Sequence, residues 1–255
     1  MKRRIALILV GIMLVATLAG CSCSTNDSQS SNNTAITNSS NATSSEGGPI
    51  INITYVEKSS GILVDGKSIC TYRYPVFEIA NKDNGYEKFD EELGNVFWDF
   101  QSFCEDQMKI IEEAYNSGDK STTDASYTYD LTETVNSPEV YSFYVTQNIH
   151  ANGDRQYVLG YVLNPKSGEH IDIKNYYSDK TKLVDALKDS YKKGEYASKY
   201  NDTAEKFFEQ IKKEDYYFNY YIEDNTIKVI FDGVTDLNTG DNNSNVIVSI
   251  PLNSK

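Results

Sequence analysis

The chain has only two histidines, His150 and His170, which are the side chains best suited to acid–base or metal chemistry near neutral pH. The sequence predicts that each lies at the end of a β-strand beside polar residues. Zinc binding or general acid–base catalysis needs histidine and carboxylate groups that converge, and neither histidine has a partner at a metal-ligand spacing. Aspartate and glutamate are abundant, so a carboxylate pair of the glycosidase type stays an alternative that the sequence does not locate. We expect no catalytic residue and no cofactor.

One oxygen-rich segment, which starts at Asp236, has the composition of a calcium-binding loop. An EF-hand loop needs glycine at its sixth position and glutamate at its twelfth, and these positions hold Asp241 and Ile247. The pattern therefore predicts an ordinary connection between strands, with a weakly held calcium ion as the alternative. No metal ligand is predicted.

The N-terminal residues have the pattern of an export signal. Lysine and arginine at positions 2–4 precede an apolar run, Ile5–Leu18, of 14 residues. A helix that spans a bilayer needs about 20 apolar residues, and small residues follow the run, as in a cleaved signal peptide. We expect residues 1–20 to be removed. An uncleaved N-terminal anchor helix is the alternative.

Cys21 follows Leu18-Ala19-Gly20, a sequence that resembles the lipobox of bacterial lipoproteins. The resemblance implies cleavage between Gly20 and Cys21 and a lipid (palmitate included) on the Cys21 thiol. Two acyl chains anchor a protein stably, at about 0.8 kcal/mol for each buried methylene. The predicted location is the outer face of the cytoplasmic membrane of a bacterium, of the Gram-positive type, with the membrane as partner through Cys21.

Composition and charge exclude several classes of protein. The net charge is −13 over 255 residues, and removal of residues 1–20 would make it −16. A chain this acidic, without a basic run, is unsuited to nucleic acid or to anionic lipid surfaces. Within residues 22–49, 18 of 28 positions are serine, threonine or asparagine, so we expect 21–49 to be a disordered tether.

Cysteines and tyrosines supply the other candidate residues. Cys70 and Cys104 form either a disulfide, as extracytoplasmic cysteines do, or two buried thiols. Tyrosine is unusually frequent, with 20 residues against one tryptophan. Exposed rings can stack on sugars or anchor a protein partner, and about half the rings of a strand should face the core. The densest group, with predicted recognition roles, is Tyr216, Tyr217, Tyr220 and Tyr221.

Hydrophobic periodicity predicts the elements that hold these residues. Apolar residues at spacings of three and four predict one long helix over 86–115, in which Gly94 indicates close packing. Two shorter helices are predicted over 180–191 and 203–213. Strands are predicted over 50–57, 67–80, 126–134, 139–149, 155–163, 216–222, 226–231 and 245–252.

Blocks of strands and helices, rather than alternation, predict an α+β fold. We expect a mainly antiparallel sheet packed against the long helix, followed by two shorter helices and a C-terminal set of strands. The predicted units are a first subdomain over 50–178 and a helix–strand subdomain over 179–255.

Several short segments carry a family resemblance: Tyr74–Phe77, Leu93–Asn95, Leu163–Glu169 and Tyr220–Phe231. Together they resemble the paired extracytoplasmic domains of lysozyme-sensing anti-sigma factors, which also precede the catalytic domain of some peptidoglycan deacetylases. The stretch 231–241 departs from that family's pattern. We expect no sigma-inhibiting segment before Ile5 and no deacetylase domain after Leu252, so the resemblance implies neither activity.

The resemblance implies a non-catalytic, wall-facing module that binds lysozyme or peptidoglycan. We therefore expect a lipid-anchored extracytoplasmic binding protein that recognises lysozyme-like protein or cell-wall material. Two alternatives stay open. One is a carboxylate-dependent enzyme that acts on wall glycan, and the other is a structural accessory lipoprotein of an envelope complex.

Overall fold

A computed structural model describes residues 35–41, 47–151, 153–231 and 245–252. Gly20 and Cys21, with the predicted cleavage and lipidation, lie outside these residues, as does most of the segment that starts at Asp236. No helix in the described part of the chain is long and apolar enough to cross a membrane.

The secondary-structure elements follow one another along the chain in the order strands, long helix, strands, two helices, strands. They are β1 (Ala35–Asn41), β2 (Ile51–Ser59), β3 (Leu63–Val64), β4 (Lys67–Ser68), β5 (Cys70–Ile79), α1 (Glu87–Asn116), β6 (Ala125–Asn136), β7 (Tyr141–His150), β8 (Asp154–Leu163), α2 (Lys180–Lys193), α3 (Asp202–Lys213), β9 (Asn219–Glu223), β10 (Thr226–Phe231) and β11 (Val246–Pro251).

The main sheet has six strands in the order β1-β2-β5-β6-β7-β8. All of its neighbours are antiparallel except β5 and β6, which run parallel and are joined by α1. A parallel pair needs a long crossover, and the helix supplies it. The α+β class is confirmed, and so is the mainly antiparallel sheet packed on one long helix.

One face of α1 forms the core of this first part of the chain. Its buried side chains come from the predicted apolar stripe: Phe89, Leu93, Val96, Phe97, Phe100, Cys104, Met108 and Ile111. Phe100 stacks on Tyr129 of β6 with ring centroids 4.6 Å apart, and Phe97 lies 5.0 Å from Phe77 of β5. Burial of aromatic rings on both elements holds α1 against the sheet.

Gly94 does not have the close packing that the sequence predicts. It lies on the exposed side of α1, and apart from the backbone of its own helix a Cβ added there would meet no described atom within 4 Å. Pro75, by contrast, fits its strand because the ladder between β5 and β6 ends at Arg73, before the missing N–H of the proline would interrupt it.

Local sequence explains where the later elements begin and turn. The Asp179 carboxylate accepts the N–H groups of Thr181 and Lys182 at the start of α2, and the Asn201 side chain caps α3 in the same way. Asp224 and Asn225 both have positive φ, as a two-residue hairpin requires, and they join β9 to β10.

The C-terminal elements pack on the face of the main sheet opposite α1. A three-stranded sheet, β11-β10-β9, and helices α2 and α3 enclose a second hydrophobic cluster that contains Leu187, Phe208 and Val229. At the contact with the main sheet, a Cβ on Gly160 of β8 would lie 2.5 Å from the main chain of Tyr220. Glycine is therefore required there by the approach of β9.

Strand β1 lies in the segment predicted to be a disordered tether. It pairs antiparallel with β2 from Ala35, opposite Glu57, to Asn41, opposite Asn52, with a register shift between Thr37 and Ser40. Pairing at a sheet edge uses main-chain groups, so a polar sequence without a hydrophobic face can supply the strand. Composition alone does not reveal this.

Candidate binding surface

The four tyrosines predicted to act in recognition have different environments. Tyr220 and Tyr221 are each 6% exposed, because β9 lies between β10 and the main sheet. The Tyr220 hydroxyl donates to the Ile171 carbonyl at 2.5 Å, and the Tyr221 ring lies 4.7 Å from that of Tyr144. These two rings are core residues and are not accessible to a partner.

Tyr217 is the exposed member of the group, with 76% of its surface accessible. Tyr216 is partly buried against Phe207 and Phe218. The predicted strand over 216–222 begins only at Asn219, so the alternation of a strand does not apply to Tyr216 and Tyr217. Of the four tyrosines, Tyr217 is therefore the one whose ring is largely accessible.

A hydrogen bond between two side chains joins α1 to the segment that follows β8. The His170 ring nitrogen Nε2 lies 3.1 Å from the Glu92 carboxylate, and both side chains are about one-third exposed or less. The His170 main chain forms a single bridge with Leu163, which brings it back to the end of β8. The sequence places His170 at a strand end but does not indicate its contact with Glu92.

Asp99 lies two helical turns after Glu92 and therefore on the same side of α1. Burial, and then the nearby Glu92 carboxylate, raise the pKa of Asp99 above its ordinary value. Burial, with smaller contributions from Tyr217 and Asp99, also raises the pKa of Tyr161 in β8. We call these neighbouring residues the junction cluster: Glu92, Asp99, Tyr161, His170 and Tyr217.

The turn after β8 fixes the junction cluster to the start of α1. The Asn164 side chain accepts the N–H groups of Lys166 and Ser167 at 2.8 and 3.1 Å. Gly168 has a φ of +70°, and any side chain there would clash with the carbonyl of Lys88. The Lys166 ammonium lies 4.0 Å from the Tyr86 ring centroid. The resemblance segment Leu163–Glu169 therefore has a structural role, which is to hold His170 beside Glu92.

The other histidine, His150, lies between two carboxylates at the end of β7. Its Nδ1 is 2.5 Å from Asp154 and its Nε2 is 3.4 Å from Asp124. Hydrogen bonds to Asp154 and then Asp124 raise the pKa of His150 above 6.5. Across the described ranges, no group of three or more histidine, cysteine or acidic residues has an arrangement that could hold a metal ion.

Cys70 and Cys104 are free thiols in the structure, and both are fully buried in the core between β5 and α1. Burial, with a smaller contribution from Glu112, raises the pKa of Cys70 to about 12. Burial also raises the pKa of Cys104. Neither thiol is therefore an activated nucleophile. The disulfide between them stays a prediction.

An open groove of about 360 Å³ runs along the outer side of α3, and charged residues dominate its lining: Glu205, Lys206, Glu209, Gln210, Lys213 and Glu214. Hydrogen bonds from Lys212 and Lys188 lower the pKa of Glu209. An ionised carboxylate held by lysines is unsuited to donate a proton, so this groove does not favour acid catalysis.

Comparison with known proteins relates this chain by its fold. No protein-family model and no curated protein sequence matches it. A solved DUF3298 family protein from Pseudomonas aeruginosa PAO1 superposes with a TM-score of 0.52 at 7% identity, over 80% of this chain and 90% of that one. A DUF3298 family member from Bacteroides fragilis NCTC 9343 gives a TM-score of 0.41 at 11% identity, over 88% and 92%. The first of these shows that the chain shares the fold of a DUF3298 protein.

Proposed function

We propose that this chain is a lipid-anchored extracytoplasmic binding protein that recognises lysozyme-like protein or cell-wall material without catalysing a reaction. The observation that carries the proposal is the exposed Tyr217 ring in the junction cluster, which has the Asp172 carboxylate as a charged neighbour. A ring next to carboxylates suits a cationic side chain or a sugar face.

Charge supports a basic protein as the partner. The mature chain would carry −16, which accelerates encounter with a basic protein such as lysozyme but does not by itself provide specificity. Glu92 is already held by His170, so it orients the cluster rather than acting as a free base. Recognition then depends on Tyr217 and Asp99.

The first experiment uses residues 21–255 with Cys21→Ser, which keeps β1 but removes the site of lipidation. Calorimetric titration with lysozyme at physiological salt should give submicromolar binding, weakened about tenfold by Tyr217→Ala. Leu63→Ala is the matched control, because Leu63 is also an exposed apolar residue, 61% accessible, on the β3–β4 hairpin. Soluble muropeptides are titrated separately.

The other outcomes distinguish the alternatives. Continuing heat with muropeptides, abolished by Asp99→Asn, would favour a glycan-acting enzyme, because the raised pKa of Asp99 suits a general acid. The absence of a binding signal with lysozyme and with muropeptides would overturn the proposed recognition of both. Membrane proteins that co-purify with the chain would then favour a structural accessory lipoprotein.

The lipid anchor has its own test. The full-length chain expressed in a bacterium should partition into the detergent phase of a cloud-point extraction, and Cys21→Ala should move it to the aqueous phase or leave the precursor uncleaved. A Cys23→Ala variant is the matched control, since Cys23 lies two residues further along the same segment. Equal partitioning of all three proteins would overturn lipidation at Cys21.

A further inference from the structure

Trp98, the only tryptophan of the chain, lies on the outer face of α1 with 65% of its surface accessible. Its neighbours along the helix, Phe97 and Phe100, are buried, so the indole points away from the core that the helix covers. Tryptophan has a large apolar ring and is usually buried at least in part. The Trp98 indole is not one of the buried side chains that pack α1 against the sheet.

Gly94 lies one turn before Trp98 and is also exposed. Glycine is among the poorest helix formers. Apart from the backbone of its own helix, no described atom lies within 4 Å of where the side chain of residue 94 would begin, and the φ of Gly94 is not positive. The described structure therefore does not require a glycine at this position.

These two residues are neighbours on one helix face. Residues four apart in an α-helix lie one above the other, and helical side chains lean towards the N-terminus. The Trp98 indole thus stands beside a stretch of helix without a side chain at Gly94. Together they form a protruding ring next to a notch, which a partner's side chain can enter.

The charge of α1 determines which partner fits. The helix has nine acidic and two basic residues. Glu91 and Glu105 are exposed and lie seven residues before and after Trp98, which is close to two turns and places them on the same face. Lys58 of β2 pairs with Glu105 at 3.2 Å, and even with this lysine included the residues of the helix surface carry a net charge of −6. The complementary partner is cationic.

We propose that the outer face of α1 around Trp98 and Gly94 docks a basic protein surface, with an arginine or lysine of the partner stacked on the indole. Tryptophan is the strongest cation–π acceptor among the side chains, and Glu91 adds a carboxylate at the same face. This inference goes beyond the proposed function, which places recognition at the junction cluster.

The test uses the single tryptophan as a probe. An oligo-arginine peptide, which contains no tryptophan, is titrated into residues 21–255 with Cys21→Ser at physiological ionic strength. We expect a change in Trp98 emission, and an oligo-glutamate peptide of equal length should cause none. Affinities of the variants are then measured by calorimetry.

Two substitutions separate docking from folding. Trp98→Ala should weaken oligo-arginine binding about tenfold. Gly94→Leu should weaken it similarly by filling the notch, while the midpoint of thermal unfolding rises because leucine favours the helix. Ile110→Ala, which removes another exposed apolar side chain of α1, should leave binding within about twofold of the wild type. Absence of peptide binding, or wild-type affinity in both Trp98→Ala and Gly94→Leu, would overturn the proposal.

Lysozyme and muropeptide titrations of the same variants separate this proposal from the proposed function. If oligo-arginine binding depends on Trp98 and neither lysozyme nor muropeptides bind, only the proposed function is overturned. Lysozyme binding that depends on Tyr217, with no effect of Trp98→Ala on either ligand, would overturn only the docking face.

Discussion

The Ser142 hydroxyl bonds both main-chain groups of Ile222. The Ile222 N–H donates to Ser142 Oγ at 2.7 Å, and Oγ donates to the Ile222 carbonyl at 3.1 Å. Ser142 is fully buried in β7, and Ile222 lies in β9, so one side chain joins the main sheet to the C-terminal sheet. The edge of β9 that faces away from β10 is thus hydrogen-bonded to the main sheet through the Ser142 hydroxyl.

Substitution of Ser142 by alanine should therefore leave two buried main-chain groups without this partner. A buried polar group that loses its hydrogen bond costs about 1–3 kcal/mol, so the free energy of unfolding should fall by at least that amount. Urea denaturation measures it. Thr132→Ala, at an exposed position of β6, is the control and should change stability by less than about 0.5 kcal/mol.

Two glycines should respond in opposite directions to the same substitution. Gly160→Ala places a Cβ 2.5 Å from the Tyr220 main chain, and the resulting shift of β8 and β9 should cost about 1–3 kcal/mol. Gly94→Ala meets open space in α1 and should stabilise the protein by about 1 kcal/mol. Thermal unfolding compares them, and a loss of stability in Gly94→Ala would mean that its packing differs from that described.

The Tyr191 hydroxyl is buried and has no hydrogen-bond partner among the described residues. Tyr191→Phe should therefore leave the free energy of unfolding unchanged or raise it by about 1 kcal/mol, because the desolvation cost of the hydroxyl disappears. Tyr220→Phe is the matched case, since its hydroxyl donates to Ile171, and it should lose about 0.5–1.5 kcal/mol. Chemical denaturation of both variants would contradict this account if Tyr191→Phe were the more destabilised.

The sequence predicts elements whose signals are local. The three- and four-residue spacing of apolar residues predicts the buried face of α1. The gap between the predicted strands over 216–222 and 226–231 contains the turn at Asp224 and Asn225. Strand β9 is predicted too early, at Tyr216, because runs of aromatic residues indicate strand wherever they occur. The parallel pairing of β5 with β6 has no local signal, since α1 separates the two strands.

The junction cluster is harder to predict than the fold. Glu92 and His170 are 78 positions apart, and the turn at Gly168, with the bridge between Leu163 and His170, brings them together. The burial of Tyr220 and Tyr221 depends on the sheets that enclose β9 on both sides, which strand alternation does not anticipate. The exposure of Trp98 follows from its position off the apolar stripe of α1, although its residue type alone indicates burial.

Stability should depend on pH through His150. In the unfolded chain this histidine loses its proton near pH 6.5, and in the folded protein Asp154 and Asp124 raise its pKa above that value. The folded state then binds more protons in this range, so the stabilisation is fully present below pH 6.5 and is lost as the pH rises through the folded pKa. His150→Gln should therefore destabilise the protein more at pH 5.5 than at pH 8.5, as denaturant titrations at about these pH values would measure.

Substitution of the carboxylates identifies the cause of this dependence. Asp154 makes the shorter contact, so Asp154→Asn should lower the His150 pKa more than Asp124→Asn does. An NMR titration of the His150 ring protons measures both shifts directly. If Asp154→Asn left the pKa of His150 unchanged, or if the effect of His150→Gln grew as the pH rose, the ion pairs at the end of β7 would not stabilise the folded state.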